Sequence, residues 1–184
     1  MRRKKRIRFI LLIIAFAFII NIKPILRKIY VLDYKSYITT YSKEFSIDPY
    51  LVAAIIRTES NYEKDARSHK DAFGLMQITE PTAVWAAKKM GIKDFKKESL
   101  YDPETNIKIG CWYVMDLSKE FNGKTDLVLA AYNGGRTNVK KWLSSEEFSK
   151  DGENLSYIPF KETDKYVKRV KTNYSIYKWL YSLD

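Results

Sequence analysis

The residue best placed to do chemistry is Glu59. Leu51, Val52, Ile55 and Ile56 fall at i, i+1, i+4 and i+5, one apolar face of an α-helix. A step of four from Ile55 and a step of three from Ile56 both reach Glu59, so the stripe ends on a carboxylate. Partial burial disfavours the charged form of a carboxyl and raises its pKa. A carboxyl held protonated near neutral pH is a general acid. Ser60 and Asn61 break the pattern, which sets Glu59 at a helix end, where a cleft can open. The spacing fits equally an ordinary glutamate on an exposed edge, because Glu is seldom fully buried.

Other chemistry is sparse. The chain has one histidine, His69, in a polar loop-like stretch, and one cysteine, Cys111, beside Trp112 in a helical pattern. A serine–histidine–acid triad has no footing, an intrachain disulfide is excluded, and no Cys/His cluster has metal-ligand spacing. Neither a metal nor an organic cofactor is implied. Glu63, Asp65 and Asp71 lie near Glu59 in sequence but in a polar stretch, and they read as solvated surface charges. Glu59 therefore stands without an obvious paired acid, although a distant one brought in by folding stays open.

The elements that must position Glu59 are helices. Seven Gly and five Pro among 184 residues argue against a turn-rich all-β fold. Asp48-Pro49 reads as an N-cap with proline at the first helical position, and Asp102-Pro103 repeats that start. The pattern predicts helices over 36–45, 48–60, 81–90, from 103 towards Gly123, 126–132, 138–143 and 162–183, the last amphipathic. Residues 61–73 read as polar and irregular, 74–78 as too short to assign, and 144–159 as a polar loop. The predicted fold class is all-α, in the sense of mainly α, with the domain almost entirely helical.

Five short stretches line up along this frame. They are Glu59-Ser60; Gly74-Leu75-Met76-Gln77; Asn106 to Gly110; Ala130-Ala131-Tyr132-Asn133-Gly134; and Glu162-Thr163-Asp164-Lys165-Tyr166-Val167. In this order and spacing they resemble the catalytic domain of the soluble-lytic-transglycosylase type, a family with the lysozyme-like α fold. The resemblance covers roughly residues 46–177. It implies cleavage of the β-1,4 bond between N-acetylmuramic acid and N-acetylglucosamine in peptidoglycan. The family's single acid matches Glu59. It protonates the leaving oxygen, then acts as base toward the C6 hydroxyl of the same muramic residue, giving a 1,6-anhydro product. Most glycosidases need a second carboxylate instead.

The candidate substrate-contacting residues are Ser60, Gly74, Met76, Gln77, Tyr132, Asn133 and Tyr166. Gly74 would let backbone approach the sugar closely, and Gln77 would offer an amide to its N-acetyl or hydroxyl groups. Met76 reads equally as core. Ser60 reads as orienting Glu59, holding substrate, or capping the helix. Tyr132 matches a family tyrosine whose hydroxyl lies near the acid. Asn133 reads as ordering its loop, because Asn-Gly-Gly is a turn signal. Tyr166 reads as cleft lining or as part of an apolar stripe, while Asn106 and Gly110 read as packing. The chain departs from the family at Thr79-Glu80-Pro81, where Met-Pro often follows, and at Gly134, where the family usually has Ala. A water-using muramidase of the same fold and a non-catalytic peptidoglycan-binding scaffold are the alternatives.

The net charge of +11 is concentrated at the start. Nine basic residues and no acid fall within residues 1–30, leaving 24 basic against 22 acidic beyond. A nearly neutral domain removes most of the support for nucleic-acid binding, which needs a basic face on the domain itself, and no nucleic-acid partner is expected. Residues 1–8 are basic and residues 9–20 form the apolar run FILLIIAFAFII. The run is short for a full span and also fits a signal-peptide core. Large residues follow it where a cleavage site needs small ones, so a signal anchor over residues 9–26 is expected. Residues 1–8 would stay in the cytoplasm, 27–45 form a stalk and first helix, and 46–184 the catalytic domain outside. The expected partners are peptidoglycan strands and, through the anchor, the cell membrane. Secretion after signal cleavage is the alternative.

Overall fold

The computed structural model describes residues 6–7 and 22–183. The chain divides into two units at Leu32/Asp33. In the first, residues 22–29 are helical (α1). The apolar run 9–20, on which the anchor expectation rests, lies outside the described residues. No helix among the described residues is long and apolar enough to cross a membrane.

The second unit is mainly helical. It contains α2 (Lys35–Phe45), α3 (Pro49–Glu59), α4 (Glu80–Met90), α5 (Pro103–Glu120), α6 (Thr125–Gly134), α7 (Arg136–Leu143) and α8 (Lys161–Leu180). A 3-10 helix over Lys97–Tyr101 precedes α5. Helix α2 belongs to this unit, whereas the sequence grouped residues 27–45 apart. Both cap-plus-proline starts are formed. The Asp48 carboxylate accepts from the Tyr50 N–H, and that of Asp102 from the Thr105 N–H. Gly91 closes α4 in the left-handed conformation that its missing side chain permits.

The domain is mainly helical, as expected, with one small hairpin that the sequence did not predict. Strands β1 (Ala72–Phe73) and β2 (Ile78–Thr79) pair antiparallel, Ala72 opposite Thr79 and Phe73 opposite Ile78. Two-residue strands have no periodicity to reveal them. The hairpin matters because its loop is Gly74-Leu75-Met76-Gln77.

Helix α3 is the core element. Val52, Ala53, Ala54, Ile55 and Ile56 are wholly buried, and Ile55 and Ile56 are each worth roughly 2–3 kcal/mol of burial. It packs on α8, whose inner face carries Tyr166, Val167, Val170, Asn173, Tyr177 and Leu180. Helix α5 packs against α2 and α6, and α6 against α8. Cys111 is wholly buried on α5, and burial pushes its thiol pKa up.

Candidate active site

Glu59 is the last residue of α3, and hydrogen bonds hold the turn on both sides of it. Before it, the Thr58 hydroxyl donates to the Ala54 carbonyl (2.8 Å) and accepts from the Asn173 amide of α8 (2.9 Å). After it, the Ser60 hydroxyl donates to the Leu75 carbonyl (2.8 Å). Ser60 thus ties the end of α3 to the hairpin loop. Of the roles open to it from sequence, fixing the helix end is the one this bond fills.

The loop itself hangs on one buried side chain. The Asn106 carbonyl oxygen accepts from the Met76 N–H (2.8 Å), while its amide nitrogen donates to the Phe73 and Leu100 carbonyls (2.9 and 2.8 Å). Gly74 has φ +72°, and a Cβ there would stand 2.2 Å from the Leu100 oxygen and 2.3 Å from the Asn106 amide nitrogen. The close approach at Gly74 that the structure shows is to Asn106 and Leu100, inside the protein. Met76 is wholly buried, and a Cβ on Gly110 would meet its sulfur at 2.2 Å. Its side chain is core, which closes the alternative left open by sequence. Gln77, with φ +48°, spends its amide nitrogen on the Gly74 and Ala66 carbonyls (2.8 and 3.2 Å). Among the described residues its carbonyl oxygen accepts nothing, which leaves that atom for a ligand.

Two tyrosines attend the acid. The Tyr132 hydroxyl, whose pKa is raised first by burial and then by the nearby Glu59 carboxylate, donates to the Met76 carbonyl (2.7 Å). The Tyr166 hydroxyl is buried without a hydrogen bond of normal geometry among the described residues, yet it lies close enough to Glu59 to favour the carboxylate. Burial outweighs that effect and pushes the Glu59 pKa from 4.5 up to about 7. Glu59 is partly open to a cavity of about 240 Å³ lined also by Thr58, Asn133, Glu162, Lys165, Tyr166 and Arg169. Glu59, Asn133 and Tyr166 thus share one wall space. Ser60, Gly74, Met76 and Gln77 build the platform beside it.

From sequence, Glu162 and Lys165 stand only as members of a motif, and neither they nor Arg169 are assigned to the site. Glu162 is a second carboxylate on the cavity wall, 71% exposed and paired with Lys70 at 3.2 Å. Lys165 and Arg169 follow it on the same helix, at positions next to Tyr166 and three beyond. The signal was present in that spacing, but charges on an amphipathic helix ordinarily mark a solvated face. A second cavity, of about 410 Å³, is lined by Pro81, Thr82, Trp85, Tyr113 and Arg136. The Tyr113 ring sits 5.4 Å from Tyr132 and 6.3 Å from Trp85, so aromatic faces continue from the acid into this second space. Arg136 lies over Trp85 and Tyr113 and is held by Asp116 and Glu120. Glu63, Asp65, His69 and Asp71 are exposed, as the sequence implies.

The helical frame, with a partly buried carboxyl at the end of α3, is that of a lysozyme-like domain. The chain belongs to the family described as the Transglycosylase SLT domain, whose model matches residues 36–155. It is 36% identical over 141 residues to the soluble lytic murein transglycosylase of Salmonella typhimurium, covering 76% of this chain and 22% of that protein. It is 35% identical over 124 residues to the membrane-bound lytic murein transglycosylase E of Buchnera aphidicola, covering 61% and 56%. The crystal structure of the 70 kDa soluble lytic transglycosylase of Escherichia coli superposes with a TM-score of 0.75 at 30% identity, over 84% of this chain and 25% of that one. A further structure holds that enzyme type in complex with bulgecin A, with the same score and coverage. The chain spans about a quarter of the length of the soluble relatives it matches.

Proposed function

We propose that the chain is a lytic transglycosylase of peptidoglycan that cuts the MurNAc-β-1,4-GlcNAc bond and leaves a 1,6-anhydro-muramic end. The observation that carries this is Glu59, a carboxyl protonated up to about pH 7 on the wall of an open cavity. Its proton goes to the glycosidic oxygen as the C1–O bond breaks. The carboxylate so formed takes the proton from the C6 hydroxyl as O6 bonds to C1. Glu59 ends as it began and no water is consumed. Tyr166 is a positioning residue that faces the carboxyl, and Tyr132 holds the platform. Glu162, Asn133 and the Gln77 carbonyl would meet the sugars, and the Tyr113 and Trp85 faces would stack further rings.

Glu162 supports a second reading. A second acid on the cavity wall could direct water to C1 and make the protein a muramidase. Its exposure and its pairing with Lys70 favour a binding role. Mass spectrometry of products released from purified peptidoglycan separates the two, because an anhydro end is lighter than a reducing end by one water. Anhydro products that vanish in Glu59→Gln are expected. Reducing-end products lost in Glu162→Gln would move the chain to the muramidases, and tight binding without release would make it a scaffold.

The location is part of the proposal. The basic residues 1–8 and the apolar run 9–20 support a single-pass anchor with the domain outside the cytoplasm.

A further inference from the structure

The cleft wall carries two cations with no acid to answer them. Lys165 and Arg169 stand at i and i+4 on α8, so they share a face, and both line the cavity of Glu59. Their neighbours are matched: Lys70 pairs with Glu162 and Lys168 with Asp164. Among the described residues neither Lys165 nor Arg169 forms an ion pair or a side-chain hydrogen bond. With Glu59 protonated and Glu162 paired, the wall holds about two uncompensated positive charges. The glycan backbone offers nothing to meet them. Its amino sugars are N-acetylated, and the lactyl group of a substituted muramic residue is an amide. The anions of such a substrate are the backbone carboxylates of the stem peptide.

We infer that Lys165 and Arg169 bind a carboxylate of the stem peptide, so that the site selects muramic residues bearing stems with free acid groups. The inference rests on the peptidoglycan reading above and names the part of the substrate that α8 recognises. A guanidinium suits this task because its fork matches a carboxylate with two parallel bonds. The lysine one turn earlier adds a point charge that tolerates the movement of a flexible stem. Both side chains are exposed, so each contributes modestly and the pair acts mainly on KM.

The test compares intact peptidoglycan with the same material after its stem carboxylates are converted to amides by carbodiimide and ammonia. The full chain is assayed alongside Lys165→Gln/Arg169→Gln and a Lys168→Gln control, which removes a charge from α8 outside the cleft. Amidation is expected to lower kcat/KM of the unaltered chain about tenfold, chiefly through KM, as two partly exposed charge contacts imply. The double variant should show a similar loss on intact material and no further loss on amidated material. A double variant equally impaired on both substrates, or unimpaired on both, overturns the inference. The first outcome would assign the cations to another anion, such as a wall phosphate. If the unaltered chain cuts neither material, the activity reading fails separately. Co-sedimentation of the full-length Glu59→Gln chain then decides: weaker retention on amidated peptidoglycan supports the carboxylate site, and equal retention overturns it.

Discussion

Glu59 gives up stability for its proton. Its pKa rises on folding from 4.5 to about 7, so the folded state favours the protonated form. Below pH 4.5 the acid is neutral in both states and costs nothing. Stability then falls as pH rises towards 7, by roughly 3 kcal/mol in all. Glu59→Gln should therefore unfold at higher denaturant than the unaltered chain at pH 8 and lose most of that advantage at pH 4, while turnover is abolished. Activity that needs the protonated acid should decline above about pH 7. Tyr166 acts against burial by favouring the carboxylate. Tyr166→Phe should move that decline to higher pH and lower kcat, which a pH–rate profile would read directly. Normal activity in a folded Glu59→Gln protein would remove Glu59 from the reaction. At this scale the sequence disclosed the acid, because an apolar stripe that ends on a carboxylate is visible in one dimension. It did not disclose Glu162, Lys165 or Arg169 as neighbours, because that adjacency exists only once α8 lies along α3.

The hairpin loop is the element on which the site's precision depends. Asn106 satisfies three buried backbone groups of the loop and of Leu100 at once. Asn106→Leu would orphan all three, at a cost of roughly 3 kcal/mol or more. Gly74→Ala would meet both a backbone oxygen and an unfavourable φ, and should cost roughly 2 kcal/mol or more. Urea unfolding measures both. The reverse pattern, lost activity with full stability, would mean that Gly74 serves the sugar after all. The helices were legible because caps, prolines and periodicity all pointed the same way. Asp48-Pro49, Asp102-Pro103 and Gly91 mark their ends within a residue or two of the formed boundaries. The hairpin was not legible. Its strands are two residues long, and its loop is held by Asn106, about thirty residues away in sequence.

For the whole molecule, the proposed anchor predicts a protein that fractionates with membranes, resists a high-salt wash and is released by detergent. Recovery of a shortened chain from the culture medium would replace the anchor with a cleaved signal. The division of charge was readable from the order of residues along the chain, since it needs no folding to be seen. The extent of the compact unit was not, because the placement of α2 on α3 and α5 is a matter of packing. The lone, wholly buried Cys111 carries one further consequence. With no partner inside the chain and no exposure to one outside, the domain's covalent structure is the same in reducing and oxidising surroundings. Dithiothreitol should leave its melting temperature unchanged, and folding outside the cytoplasm would require no thiol oxidase. The same burial makes Cys111 a reporter: an alkylating reagent can reach it only when α5 comes away from its neighbours. The labelling rate would therefore time the opening of the core without any engineered probe.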